Sequence, residues 1–388
     1  MESIQAQMQT VTPYWAREWI KKSKVFHLVK PRVVETIRSE ACRKSIIEGW
    51  FETWKNEVAN EPIYPSMLAN FDESMIQPHS NTRVKVVGFK DSNASVVCAD
   101  PELPHITMGV TIFADGTNAK HLLIYPNKFV PQEARGSNAA QYVNCCFSGQ
   151  ESGWINQDIF AAHCRQIIIP AFLERHRQLA ELGVPNAVGV FLVDGHTSRL
   201  NSILMEEFRS NNIKVPVLPS HASHVLQPLD LAVFGVFKAT ISKGDSNLRK
   251  LTLPERRSAM MVKAIKSLYL ALSPDIILKS FQLSGLHPYD PSIPLKHPCV
   301  LLQYDETPIV IDESGKGVVD RYNMSGKVIT NLAELEAIRS VEARKAHRKM
   351  AKFGPHSTPN DPLLHTNPLS ALPTVTNRRG RPRKLKPT

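Results

Sequence analysis

Three aspartates occupy places where a chain can present reactive carboxylates. They are Asp72 in Leu68-Ala-Asn-Phe-Asp-Glu-Ser74, Asp194 after the apolar run Val188-Gly-Val-Phe-Leu-Val193, and Asp230 in His224-Val-Leu-Gln-Pro-Leu-Asp230. Each closes a strand-like run or falls in the first turn of a helix-like run. Carboxylates at three such places in one sheet can converge on divalent cations, and cations held that way cut and rejoin phosphodiesters. Taken singly, each has a plainer reading. Asp194 could be a solvated turn residue before a helix. Asp230, two residues after Pro228, could be an ordinary acid complementing a helix dipole. Asp72 could be an ordinary turn acid.

The elements that must position these acids can be read from periodicity. Residues 14–60 carry apolar residues at helical spacing, broken at Pro31 and Pro62. Short strands follow at Met67–Phe71, Arg83–Phe89, Ile106–Phe113 and Leu122–Tyr125, with Ala114-Asp-Gly116 as a turn. Ile155–Leu182 reads as a long helix that Pro170 should divide. Ala187–Val193 has the continuous apolar character of a strand buried on both faces, which puts Asp194 at the carboxyl edge of a sheet. Helices are expected at Leu200–Asn211, Leu226–Thr240, 254–272, 274–284 and Asn331–Lys352, and a short strand at Val215–Leu218. Strands first, then alternating strand and helix, gives an α/β fold with a mixed sheet flanked by helices.

Within that frame Leu226, Asp230, Val233 and Phe237 share one helical face, so Asp230 is expected on the core stripe, where an unpartnered acid is costly. Alternation in a strand puts Asp72 with Asn70 and Leu68, and Glu73 on the other face. Only one of the pair should therefore join a cluster, and Asp72 is the choice.

Composition narrows the partners. The 388 residues are 42% apolar and 21% charged, with a net charge of +11, which favours a polyanion such as nucleic acid. The six cysteines show neither zinc spacing nor a disulfide framework, as suits a reducing compartment. The N-terminus lacks an apolar signal segment, and no run of about 18 apolar residues suggests a membrane span. Residues 354–388 are rich in Pro, Ser, Thr and basic residues and read as a disordered tail.

A set of segments resembles the DDE-superfamily transposases of the pogo/Tigger type. These are Asn70-Phe-Asp-Glu73, His105-Ile-Thr-Met-Gly109 with Ala114-Asp-Gly116, Ser152-Gly-Trp154, Asp194-Gly-His-Thr-Ser-Arg199, Leu218-Pro-Ser-His-Ala-Ser-His224 running into Leu226-Gln-Pro-Leu-Asp230, Phe234-Gly235 with Phe237-Lys238, and Ser280-Phe-Gln-Leu-Ser-Gly-Leu-His-Pro288. The resemblance implies an RNase H-like domain with a mixed five-stranded sheet over 61–295, with Asp72, Asp194 and Asp230 as catalytic residues and as ligands of two Mg2+ or Mn2+ ions. The implied function is cleavage and transfer of DNA strands, the alternative being a domesticated, non-catalytic DNA-binding protein of the same descent. His196 and His224 would support the loop or touch the DNA backbone. Gly195 and Arg199 fall in slots to which the resemblance gives no role.

Residues 1–60 look like the end of a centromere-protein-B-type helix-turn-helix region; the plainer reading, a helical packing layer against the catalytic domain, is the preferred one. Residues 296–353 read as a helical extension. In the tail, Arg379, Gly380, Arg381, Pro382, Arg383 and Lys384 resemble an AT-hook, in which Gly and Pro keep an extended backbone while arginines enter a narrow minor groove. A nuclear localisation run is the other reading. The expected partners are DNA and a second copy of the chain, in the nucleus, with no membrane.

Overall fold

The computed structural model describes residues 13–22, 42–76, 105–128, 144–241, 251–301, 322–353 and 365–366. The strand expected at Arg83–Phe89 lies outside them. Two N-terminal helices, Pro13–Lys22 (α1) and Lys44–Thr53 (α2), fall within the segment read as helical, and α2 continues through a π turn at Trp54–Val58. Ile47, Trp50, Phe51, Trp54 and Val58 are all buried, so this segment packs against the core.

The sheet is built from Leu68–Ile76 (β1), Ile106–Phe113 (β2), His121–Tyr125 (β3), Cys145–Gly149 (β4) and Gly189–Leu192 (β5). Two-residue strands, Ile213–Lys214 (β6) and His365–Thr366 (β7), extend its edges. The spatial order is β6-β5-β1-β2-β3-β4-β7. β1 is antiparallel to β2 and β2 to β3, whereas β1 and β5, β5 and β6, and β3 and β4 run parallel. The sheet is mixed and flanked by helices, as expected, with seven strands where five were expected. Val215–Leu218, expected as a strand, instead makes isolated bridges, Val193 to Val217 and Pro216 to Val328.

Gln157–His163 (α3), a π turn at Cys164–Ile168 and Ile169–Glu181 (α4) run on without a break through Pro170. Proline lacks the N–H of an internal helical bond and crowds the carbonyl four residues back. The wider π turn just before it accommodates that misfit, so the expected division does not occur. After β5 come Ser202–Ser210 (α5), the short helix Ser223–Leu226, a π turn at Leu229–Val233 and Phe234–Ile241 (α6). Leu253–Ala271 (α7), Pro274–Leu283 (α8) and Leu332–Phe353 (α9) complete the large elements.

Strand alternation divides the core in two. Leu68, Val110, Leu192, Leu229, Phe237, Ile265 and Phe281 fill one face, with α2, α6, α7 and α8. Ala69, Phe71, Phe191, Phe160, Phe208, Leu335 and Ile338 fill the other, with α3, α4, α5 and α9.

Candidate active site

Parallel pairing between β1 and β5 ends at Asn70 opposite Leu192. β1 does not stop there, as the sequence suggested, but pairs with β2 as far as Ile76 opposite Ile106. Asp72 and Glu73 therefore lie inside a strand yet beside an open edge, because their neighbour has already turned away at Val193-Asp194-Gly195. Asp194 sits at that carboxyl edge with its side chain 29% exposed.

Asn70 joins this edge to the third acid. It is fully buried; its Nδ2 donates to Leu192 O at 3.1 Å, and its Oδ1 accepts from Leu229 N at 3.1 Å. Leu229 N–H is one of the donors that a starting helix leaves without an intrahelical partner, so a strand side chain here caps the helix that carries Asp230. Asp230 itself is exposed and is not on the core stripe. The π turn at Leu229–Val233 adds a residue to the turn and shifts the phase, so Leu226, Leu229, Val233 and Phe237 are buried while Asp230 faces outward.

It faces a cleft also lined by Asp194, His196, Ser220, His221 and His224. Asp72 approaches from the same sheet face as Asn70. Burial first, then the negative charges of Asp230, Asp194 and Glu73, push its carboxyl well above the usual carboxylate range. Asp194 and Asp230 thus share a cleft and both act on Asp72, but the set of oxygens within 4.8 Å of one another is that of Asp72, Glu73 and Asp194, without Asp230.

Glu73 corrects the expectation that only one of the adjacent acids could join. Asp72, Glu73 and Asp194 each offer an oxygen within 4.8 Å of the others. Alternation does send Glu73 to the opposite face, but past the end of β5 no strand separates the two faces.

Arg199 is what the sequence reading missed. Its side chain is fully buried. It donates to both oxygens of Glu73, Nη1 to Oε1 at 2.9 Å and Nη2 to Oε2 at 2.8 Å. It also reaches Asp194 Oδ1, from Nε at 3.1 Å and Nη2 at 2.7 Å. The guanidinium carbon lies 5.0 Å and 4.6 Å from the ring centres of Phe71 and Phe160. Burial alone would lower its pKa; Asp194 and Glu73 outweigh that and hold it above the ordinary guanidinium value. Its position five residues after Asp194 was visible, but its other partner lies 126 residues away and left no local signal.

The supporting histidines are placed differently. His196 Nδ1 meets Ser198 Oγ at 2.8 Å, and Ser198 Oγ accepts from Arg199 Nη1 at 2.7 Å, so the loop after Asp194 is one hydrogen-bonded unit. His224 Nε2 lies 3.0 Å from Cys42 Sγ, just before α2. His221 holds a left-handed backbone, φ 63°, in the cleft wall. The basic run Arg379, Gly380, Arg381, Pro382, Arg383 and Lys384 lies outside the described residues.

The donor set is all carboxylate oxygen, and Asp72 sits in a field of like charge that a cation would relieve. It fits a hard dication such as Mg2+ or Mn2+. Among the described residues no helix is long and apolar enough to cross a membrane.

Comparisons with known proteins give three kinds of likeness. Residues 104–282 match the family model described as DDE superfamily endonuclease, a span that holds Asp194 and Asp230 but not Asp72. An MFS-type transporter clz9 from Cochliobolus lunatus is 32% identical over 113 residues; the match covers 28% of this chain and spans only 12% of that relative's length. Among solved structures, the Mos1 mariner paired end complex with Mn aligns at 13% identity over 75% of this chain and 70% of that one, with a TM-score of 0.45. The Mos1 transposase catalytic domain with Raltegravir and Mg aligns at 14% identity over 70% of this chain and 96% of that one, with a TM-score of 0.39.

Proposed function

We propose that this chain, whose residues 104–282 match the DDE superfamily endonuclease model, is a metal-dependent DNA nuclease of the transposase type. The observation that supports the proposal is Asp72 close to Asp194 at one open sheet edge, with Asp230 lining the same cleft as Asp194. Asp72 and Asp194 would hold Mg2+ or Mn2+ together, with Asp230 completing the ligand set. When bound, such ions supply Lewis acidity, making a water acidic enough to attack a phosphodiester and neutralising the departing oxygen.

The chain's own groups do the rest. Asn70 fixes the spacing between the strand acids and the Asp230 helix. His196 and His224 line the cleft, where their ring nitrogens can meet a phosphate backbone. The net charge of +11 favours DNA as the substrate polyanion. We assign Arg379–Lys384 to A·T minor-groove contact and nuclear entry, and a second copy of the chain as partner, so that two DNA ends can be served at once.

The test is nicking of supercoiled DNA by purified protein with Mg2+, Mn2+ or chelator, against Asp194→Asn and Asp230→Asn. Metal-dependent nicking that vanishes in both variants supports the enzyme. Tight DNA binding with no metal-dependent cleavage supports the non-catalytic DNA-binding reading instead.

A further inference from the structure

Four acids, Asp72, Glu73, Asp194 and Asp230, crowd the open edge, and three of them could share one ion. The hydrogen bonds separate their roles. Both oxygens of Glu73 are taken by the fork of Arg199. Asp194 meets the same guanidinium through Oδ1 alone, and among the described residues no hydrogen bond reaches its Oδ2. One acid is clamped at both oxygens, while the other is steadied at one and open at the other.

We propose that Arg199 is a positioning residue for the metal site: anchored on Glu73, it holds Asp194 with one oxygen free for a cation, and Glu73 is the anchor rather than a ligand. This rests on the metal reading of the same site.

Three features make the guanidinium a fixed object rather than a mobile counter-ion. It is fully buried. It lies against the rings of Phe71 from β1 and Phe160 from α3, so two elements on one face of the sheet set its plane. Its Nη1 also donates to Ser198 Oγ, which tethers it to the loop it orients. A planar fork can hold two carboxylates at a set angle, whereas a lysine ammonium at the same place would be a point charge without that constraint. Asp194 has need of the constraint, since it lies between the end of β5 and Gly195 with no flanking strand to limit its rotation. Partners that orient a metal ligand typically change metal affinity about 10–100-fold when lost.

The experiment is Mn2+ titration of the full-length protein, reading free Mn2+ by electron paramagnetic resonance, alongside melting in chelator. Arg199→Lys should weaken Mn2+ binding about 10–100-fold, with a much smaller effect on the chelated melting point. Adding Glu73→Gln to Arg199→Lys should cost little more, because an anchor without its fork holds nothing. Should Arg199→Lys fail to fold, Glu73→Gln with Arg199→Met replaces the buried ion pair by neutral groups, a change that folds tolerate, and should lose the same affinity.

Mn2+ binding by either Arg199 variant within about two-fold of the native protein overturns the inference. A further loss of about ten-fold on adding Glu73→Gln makes Glu73 a ligand and overturns its assignment as anchor. A native protein that binds no Mn2+, with Asp194→Asn no different, removes the metal reading itself and this inference with it.

Discussion

Asn70 concentrates the geometry of the site in one amide, and its removal has a calculable effect. Its side chain satisfies two buried backbone groups, the Leu192 carbonyl at the end of β5 and the Leu229 N–H at the start of the Asp230 helix, each at 3.1 Å. Asn70→Ala strips the Leu229 N–H of its partner and takes one donor from the Leu192 carbonyl, in a place with 0% exposure at the residue itself. A buried polar group stripped of its partner costs about 1–3 kcal/mol, so the loss at Leu229 N–H alone should cost that much. That is a large part of the about 5–15 kcal/mol that holds a typical domain folded. Asn70→Asp is the informative companion. It can still accept from Leu229 N–H, but it loses the donor to Leu192 and adds a charge on the face that already holds Asp72. It should be worse than alanine at neutral pH and recover in acid. The assay is urea unfolding of chelated protein followed by circular dichroism, with Mn2+ binding measured on the folded variants. An Asn70→Ala protein within about 1 kcal/mol of the native one would refute the reasoning, because the two bonds would then have no net worth.

Three further outcomes are expected. Asp72 has a folded pKa raised above its ordinary 3.8, so the native state keeps a proton that the unfolded chain releases; chelated protein should lose stability as pH rises through that window, and Asp72→Asn should flatten the slope and raise the neutral melting point in a fluorimetric melt. A lower neutral melting point for Asp72→Asn would contradict this. Gly285 has φ 71°, and a Cβ there would run into the Asp290 carbonyl oxygen, so Gly285→Ala should cost at least about 1–3 kcal/mol in urea unfolding. Glu342 accepts from Ser202 N at 3.1 Å at the start of α5, so Glu342→Ala should cost about 1 kcal/mol and speed amide exchange along α9.

The parts of this site that were legible in the sequence are those with a local cause. The apolar run Val188–Val193 placed Asp194 at a carboxyl edge because a doubly buried strand must end before a charge. Pro228 marked the helix start that carries Asp230. What stayed hidden depends on tertiary detail. The π turn at Leu229–Val233 moved Asp230 off the stripe that regular helical spacing assigned to it, and the turn at Cys164–Ile168 let a helix pass Pro170. β4, Cys145-Cys-Phe-Ser-Gly149, has neither alternation nor a β-branched residue to announce it. Glu73 and Arg199 found each other across the fold, and neither segment alone implies the other.

The segment Val215–Val217 lies just ahead of the cleft wall, and α2 and residues 327–329, from before and after it in the sequence, close on it. Trp50 Nε1 donates to Val217 O at 3.3 Å, Val217 N donates to Lys327 O at 2.8 Å, and Ile329 N donates to Val215 O at 3.0 Å. A protein shortened to end near Leu295 would strip one side of that ribbon and leave an extended apolar edge bare, a template on which other copies can pair. Insolubility of such a truncated form would then report a torn seam rather than a misjudged catalytic core, and adding back residues 322–341 as a separate peptide should restore a soluble species.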